Sequence, residues 1–133
     1  MFVTDFEVDL DGRERAEWRN DTALYDYYHS LVDSIPDKIP GVYCLYNKEN
    51  ELLYVGMTVN LQRRIVDHLA KGPASHTKHF ADEIASVRCC RVDNPEELDL
   101  METRTIRELV PKYNVEKTPK SPRYQSFLRK EAR

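Results

Sequence analysis

Apolar positions follow two different rhythms along the chain. Between Gly12 and Ile35, Trp18, Leu24, Tyr25, Tyr28, Leu31 and Val32 recur at helical spacing. That spacing predicts an amphipathic helix with one broad apolar face. Residues 1–11 lack the rhythm and read as irregular chain or a short edge strand. Pro36 and Pro40 disfavour helix just before them, so 36–40 reads as a hinge. Gly41–Tyr46 (GVYCLY) and Glu51–Val55 (ELLYV) are rich in β-branched and aromatic residues. With NKEN as the turn they predict a β-hairpin, which Gly56 ends.

Helical spacing returns after Asn60, a good N-cap residue. Leu61, Ile65, Val66 and Leu69 mark the inward face of a helix running to about Lys71. A loop with Gly72 and Pro73 follows, then a short helix over Thr77–Ala85. Ser86–Val92 (SVRCCRV) predicts a third strand. Pro95 after Asn94 suits the first turn of a helix, and Glu96 and Glu97 suit its positive end. This helix extends to about Val110, before Pro111. The remainder reads as coil with a last short helix at 123–131. The fold class is α/β (α+β): a small three-stranded antiparallel sheet flanked by helices, with an appended N-terminal helix. The chain divides into an N-terminal extension (1–38), a central domain (39–115) and a basic tail (116–133).

Composition narrows the class. The chain has 133 residues, 41% hydrophobic and 32% charged, which suits one soluble domain with an ordinary core. No apolar run approaches the roughly 20 residues of a membrane span. The acidic N-terminus lacks the basic and apolar parts of a secretory signal. Cys44, Cys89 and Cys90 cannot all pair, and no CxxC occurs, so a reducing cytoplasm is expected. The net charge of −3 conceals an asymmetry. Residues 1–40 hold ten acids and four bases, whereas 112–133 hold two acids and seven bases. A basic tail is either a solvated segment or a surface for a polyanion.

Several residues stand where burial alone would not put them. Glu102 falls within about 40° of Leu98 and Leu109, inside the apolar stripe marked by Leu98, Ile106 and Leu109. A carboxylate there is either an edge residue paired with an arginine, or a metal ligand or catalytic group facing a cleft. Arg64 and His68 are four apart and share one helix face. They form either a solvated face or a phosphate-binding and proton-handling pair. Tyr43 and Tyr54 lie on adjoining strands and are either core residues or two hydroxyls converging at one end of the sheet. His76 and His79 with Cys89 and Cys90 match no common zinc spacing.

Gly41-Val42-Tyr43, Tyr54-Val55-Gly56, Asn60-Leu61 with Arg64 and His68, Glu102, and Tyr113-Asn114 follow one another in order. Over residues 39–115 this pattern resembles the GIY-YIG nuclease domain. That family includes the incision module of nucleotide-excision-repair endonucleases, phage homing endonucleases and some restriction enzymes. The resemblance implies a divalent-metal-dependent endonuclease acting on DNA, with RNA as an alternative substrate. A protein that keeps the fold and binds nucleic acid or a partner without cutting is the rival reading. By the same resemblance Glu102 would hold Mg²⁺, or Mn²⁺ in its place, and Arg64 the scissile phosphate. Tyr43 or Tyr54 would orient or deprotonate the attacking water. His68 matches a histidine found in part of the family, and Asn114 a site-supporting asparagine that also falls among the nucleic-acid-binding candidates. His76 matches a further histidine of some homing-type members. Met57 departs from the pattern, since many relatives carry Lys or Ser there.

Phosphodiester hydrolysis needs an activated water and charge relief on the phosphoryl oxygens. One carboxylate suffices for Mg²⁺, which prefers to keep several waters. A tyrosine is a poor base at neutral pH unless nearby cations lower its pKa. Arg64 and the metal are expected to do so, giving activity that rises toward alkaline pH. No zinc finger, helix-turn-helix or helix-hairpin-helix pattern is legible. Lys112, Lys117, Lys120 and Arg123 are therefore expected to hold backbone phosphates without reading bases. The N-terminal helix is expected to serve a protein partner or a homodimer.

Overall fold

A computed structural model of the chain describes residues 2–10, 30, 32–69 and 78–114. Nearly all of the expected N-terminal helix, the loop with His76, Lys117, Lys120, Arg123 and the expected last helix lie outside the described residues. Within them the chain forms β1 (Phe6–Asp9), β2 (Gly41–Tyr46), β3 (Leu52–Thr58), α1 (Leu61–Leu69), a 3₁₀ turn (Lys78–Glu83), β4 (Ser86–Arg91) and α2 (Pro95–Leu109). The short helix expected at Thr77–Ala85 is thus the tighter 3₁₀ form.

The sheet has four strands, not three, in the order β1-β4-β2-β3, and every pairing is antiparallel. The additional strand is FEVD at residues 6–9. Its rhythm is too short to compel a strand by itself. Pairing with β4, from Phe6 opposite Cys89 to Asp9 opposite Ser86, makes it one.

β3 also runs past the expected end at Gly56, reaching Thr58. Gly56 stands opposite Tyr43 in the register. A methyl group on Gly56 would strike the Tyr43 phenol, whose Cζ lies 2.5 Å from the ideal Cβ position. The glycine is in the strand because a ring occupies the place of its side chain.

Alternation along the strands divides the core between the two faces of the sheet. Tyr43, Leu45, Leu53 and Val87 pack with Leu61, Ile65, Val66 and Leu69 of α1 and with Phe80, Ile84, Val32 and Ile35. Val42, Cys44, Val55 and Cys90 pack on the other side with Leu98 and Ile106 of α2. The ends of α2 follow their sequence signals. The Asn94 side chain accepts from the amides of Glu96 and Glu97 at 2.9 and 3.2 Å, and Val110 closes the helix in the left-handed region before Pro111. One expectation on α2 fails: Leu109 is half exposed, and the buried stripe is Leu98, Thr105 and Ile106.

Candidate active site

The hairpin supplies two tyrosines. Tyr43 is central in β2 and 1% exposed, whereas Tyr54 in β3 is only partly buried against the same cluster. Their ring centroids are 6.3 Å apart. α1 packs across this face and presents Arg64 and His68 to it. The one-turn spacing that put both on one helix face brings both to Tyr43. The Tyr43 hydroxyl is 2.7 Å from Nε2 of His68, and the His68 side chain is fully buried. The Arg64 guanidinium acts on the same hydroxyl as a nearby cationic donor. His68 also lies against Tyr54, at 6.0 Å between ring centroids.

Glu102 comes from α2. It stands one turn after Leu98 and one turn before Ile106, on the helix's buried stripe, and is itself half-buried. Its charge is felt by both phenols. Burial pushes the Tyr43 phenol far above its ordinary range, Tyr54 adds to the rise, and the Arg64 hydrogen bond offsets only part of it. Burial and then Glu102 raise the Tyr54 phenol, against a smaller pull from Arg64. The expected pull of Arg64 is present, but the net direction is upward. Desolvation outweighs that pull.

Asn114 follows the last turn of the chain back onto β3. Its Oδ1 accepts from the Val55 amide at 2.8 Å and its Nδ2 donates to the Val55 carbonyl at 2.9 Å. Asn114 is buried, with both ends of its amide spent on the backbone between Tyr54 and Gly56. It holds the hairpin, as a site-supporting asparagine would. Lys112 is exposed, 3.8 Å from Glu83 and 5.1 Å over the Tyr113 ring.

Sequence reasoning passed over an aromatic group beside these residues. Phe80 of the 3₁₀ turn lies 6.0 Å from Tyr54 and stacks on Tyr113 at 4.2 Å. His79 meets both Phe80 and Tyr113 edge-on. The signal available was the pair of aromatic positions, Phe80 and Tyr113, flanking the motif residues.

The donor chemistry fits a hard cation held by few protein ligands. No group of three or more His, Cys, Asp or Glu side chains able to hold a metal occurs among the described residues. Zinc would need such a group, whereas Mg²⁺ binds through one or two carboxylates and keeps its waters. Glu102, half-buried beside two neutral phenols, is a donor of that kind.

Residues 39–115 match the family model described as the UvrC-like GIY-YIG domain. The chain belongs to the GIY-YIG family. UvrABC system protein C of Mycoplasma mycoides is 38% identical over 84 residues, 63% of this chain and 14% of that protein. The chain thus spans about one-seventh of its UvrC relatives, whereas it covers 73% of the uncharacterized protein YurQ of Bacillus subtilis, at 36% identity over 91 residues. The GIY-YIG N-terminal endonuclease domain of UvrC from Thermotoga maritima, bound to its catalytic magnesium, superimposes with a TM-score of 0.55 at 25% identity. The match covers 68% of this chain and 98% of the Thermotoga domain.

Proposed function

We propose that the chain is a divalent-metal-dependent endonuclease that hydrolyses phosphodiester bonds in DNA. The observation that carries this reading is the convergence at one phenol. The Tyr43 hydroxyl meets Nε2 of His68 at 2.7 Å, and the charges of Arg64 and Glu102 both act on the same phenol. A hydroxyl held between an imidazole and a guanidinium suits proton transfer beside an anion. Core packing alone requires none of these polar groups.

In this mechanism Arg64 takes the scissile phosphate with its fork of donors. Glu102 would hold the cation, which when bound supplies charge relief to the phosphoryl oxygens. Tyr43 is too deeply buried to wait as a phenolate. It acts instead as a relay: it accepts a proton from the attacking water while passing its own to Nε2 of His68. The water oxygen forms the new bond to phosphorus, the P–O3′ bond breaks, and the departing oxygen takes its proton from solvent. Tyr54 packs beside His68 and orients the water. Asn114 is a positioning residue, and Lys112 contacts backbone phosphate outside the reacting centre.

The three cysteines, all buried and unpaired, suit a reducing compartment such as the cytoplasm. Among the described residues no helix is long and apolar enough to cross a membrane.

Incubation of the chain with supercoiled plasmid, with Mg²⁺ or with EDTA, tests the reading. Nicking is expected with Mg²⁺ only, and Glu102→Ala and Arg64→Ala should each abolish it. A chain that binds flapped, branched and damaged DNA but cuts none of them would be a binding protein on a nuclease fold.

A further inference from the structure

A second feature lies directly against Arg64. A pocket of about 370 Å³ opens over the first turn of α1, and its lining includes Lys38, Thr58, Asn60, Arg63, Arg64 and Asp67. Three cationic side chains and one carboxylate give it a positive balance. Among the described residues neither Lys38 nor Arg63 joins a salt bridge.

The pocket is built rather than incidental. Asn60 ties its two walls together: Oδ1 accepts from the Lys38 and Arg63 amides, each at 3.3 Å, and Nδ2 donates to Asp37 at 3.0 Å. The Leu61 amide donates to the Ile39 carbonyl at 2.9 Å, and the Gln62 side chain donates to the Ile35 carbonyl at 2.8 Å. These bonds fix the 35–39 segment on the start of α1. Lys38 has φ of 61°, in the left-handed region, where glycine or asparagine would be the easier choice. The fold therefore places a lysine at this spot against the preference of its backbone.

Resting on the nuclease reading, we propose that this pocket is a second phosphate subsite. Lys38 and Arg63 take the phosphodiester neighbouring the one held by Arg64. The ligand class is a polynucleotide backbone, bound through two adjacent phosphates without reading of bases. Arg64 belongs to both places, since it lines the pocket and bonds Tyr43. A strand seated in the pocket is thereby placed in register with the Tyr43 hydroxyl. The carboxylates facing the pocket are Asp67, in its lining, and Asp37, which is engaged by Asn60.

The test is the salt dependence of binding to a fluorescein-labelled DNA duplex, read by anisotropy on the full chain in EDTA. Each phosphate contact contributes about 0.9 to the slope of log K against log salt. Lys38→Gly and Arg63→Gln should each lower the slope by about that amount, and should weaken binding roughly five- to tenfold at 0.1 M salt. Lys38→Gly relieves the left-handed backbone, so its melting temperature should not fall; a loss of affinity would then come from the missing amine. Lys38→Arg should restore the slope, and Lys48→Gly, on the exposed hairpin turn, should leave it at the wild-type value. If wild type binds and Arg64→Gln lowers the slope while Lys38→Gly and Arg63→Gln do not, the subsite is overturned and the nuclease reading stands. If wild type shows no salt-dependent binding to duplex, single-stranded, flapped, branched or damaged DNA, both fall.

Discussion

The Tyr43 hydroxyl and Nε2 of His68 stand 2.7 Å apart, with the His68 ring fully buried. A phenol and an imidazole so placed act as one proton-handling unit. Tyr43→Phe and His68→Ala should each lower the single-turnover cleavage rate by about 10²- to 10³-fold. The double variant should be little worse than either single one, because each already breaks the relay. Rate losses that multiply in the double variant would mean the two residues act independently.

The raised pKa values make a second expectation. Tyr43 is raised above its ordinary value of 10.0 and Cys44 and Cys89 from 9.0 to about 12 by burial. A group that holds its proton more tightly when folded favours the native state fully below its unfolded pKa and loses that advantage as pH rises. Stability should thus be insensitive to these groups near neutrality. It should fall from about pH 9 as the thiols ionise in the unfolded chain, and more steeply above pH 10 as the phenol joins them. The steepest contribution is about 1.4 kcal/mol per pH unit for each group. Urea titrations at pH 8, 9.5 and 10.5 measure the decline, and Tyr43→Phe should reduce it above pH 10. The same burial keeps Tyr43 protonated at working pH, so cleavage should show no rise attributable to phenolate between pH 8 and 10.

Gly56→Ala should damage the site from the opposite strand. Its methyl group would fall on the buried Tyr43 ring. A destabilisation of about 1–3 kcal/mol is expected from overpacking. Cleavage should fall further than the melting curve alone explains, since the Tyr43 hydroxyl would leave His68. Wild-type cleavage in a folded Gly56→Ala chain would show that the position of this hydroxyl is unimportant.

Asn114→Ala removes a donor and an acceptor at once and leaves the Val55 amide and carbonyl without them. Buried groups stranded in this way cost about 1–3 kcal/mol each. Thermal melts should show the loss. DNA affinity, measured well below the new melting temperature, should stay within about twofold of wild type, because the Asn114 amide is engaged by Val55.

Much of this arrangement was legible in the sequence because it rests on local periodicity. The Gly41–Tyr46 strand, the start of α1 at Leu61 and the Asn94–Pro95 start of α2 each follow from a rhythm and a boundary residue. Glu102 was legible as an acid on an apolar stripe, although Leu109 was misplaced on that stripe. What was not legible depends on partners distant in the chain. Phe6–Asp9, open in the sequence between irregular chain and a short edge strand, is the latter because β4 is there to pair with it. Gly56 reads as a terminator until the ring of Tyr43, thirteen positions earlier, fills its side-chain position. The phenol pKa values went the other way because charge can be counted along a sequence and desolvation cannot.

The outer side of β3 has one more consequence. An unpaired strand at a sheet margin is a template for adding a foreign strand. Here the chain's own returning segment occupies it: the Lys112 amide donates to Leu52, the Tyr113 amide to Leu53, and the Asn114 amide group stands in for a neighbouring peptide at Val55. The stretch of this margin from Leu52 to Val55 is therefore closed to β-augmentation and to edge-to-edge aggregation. Two copies of this sheet cannot fuse through that stretch unless residues 112–114 first peel away.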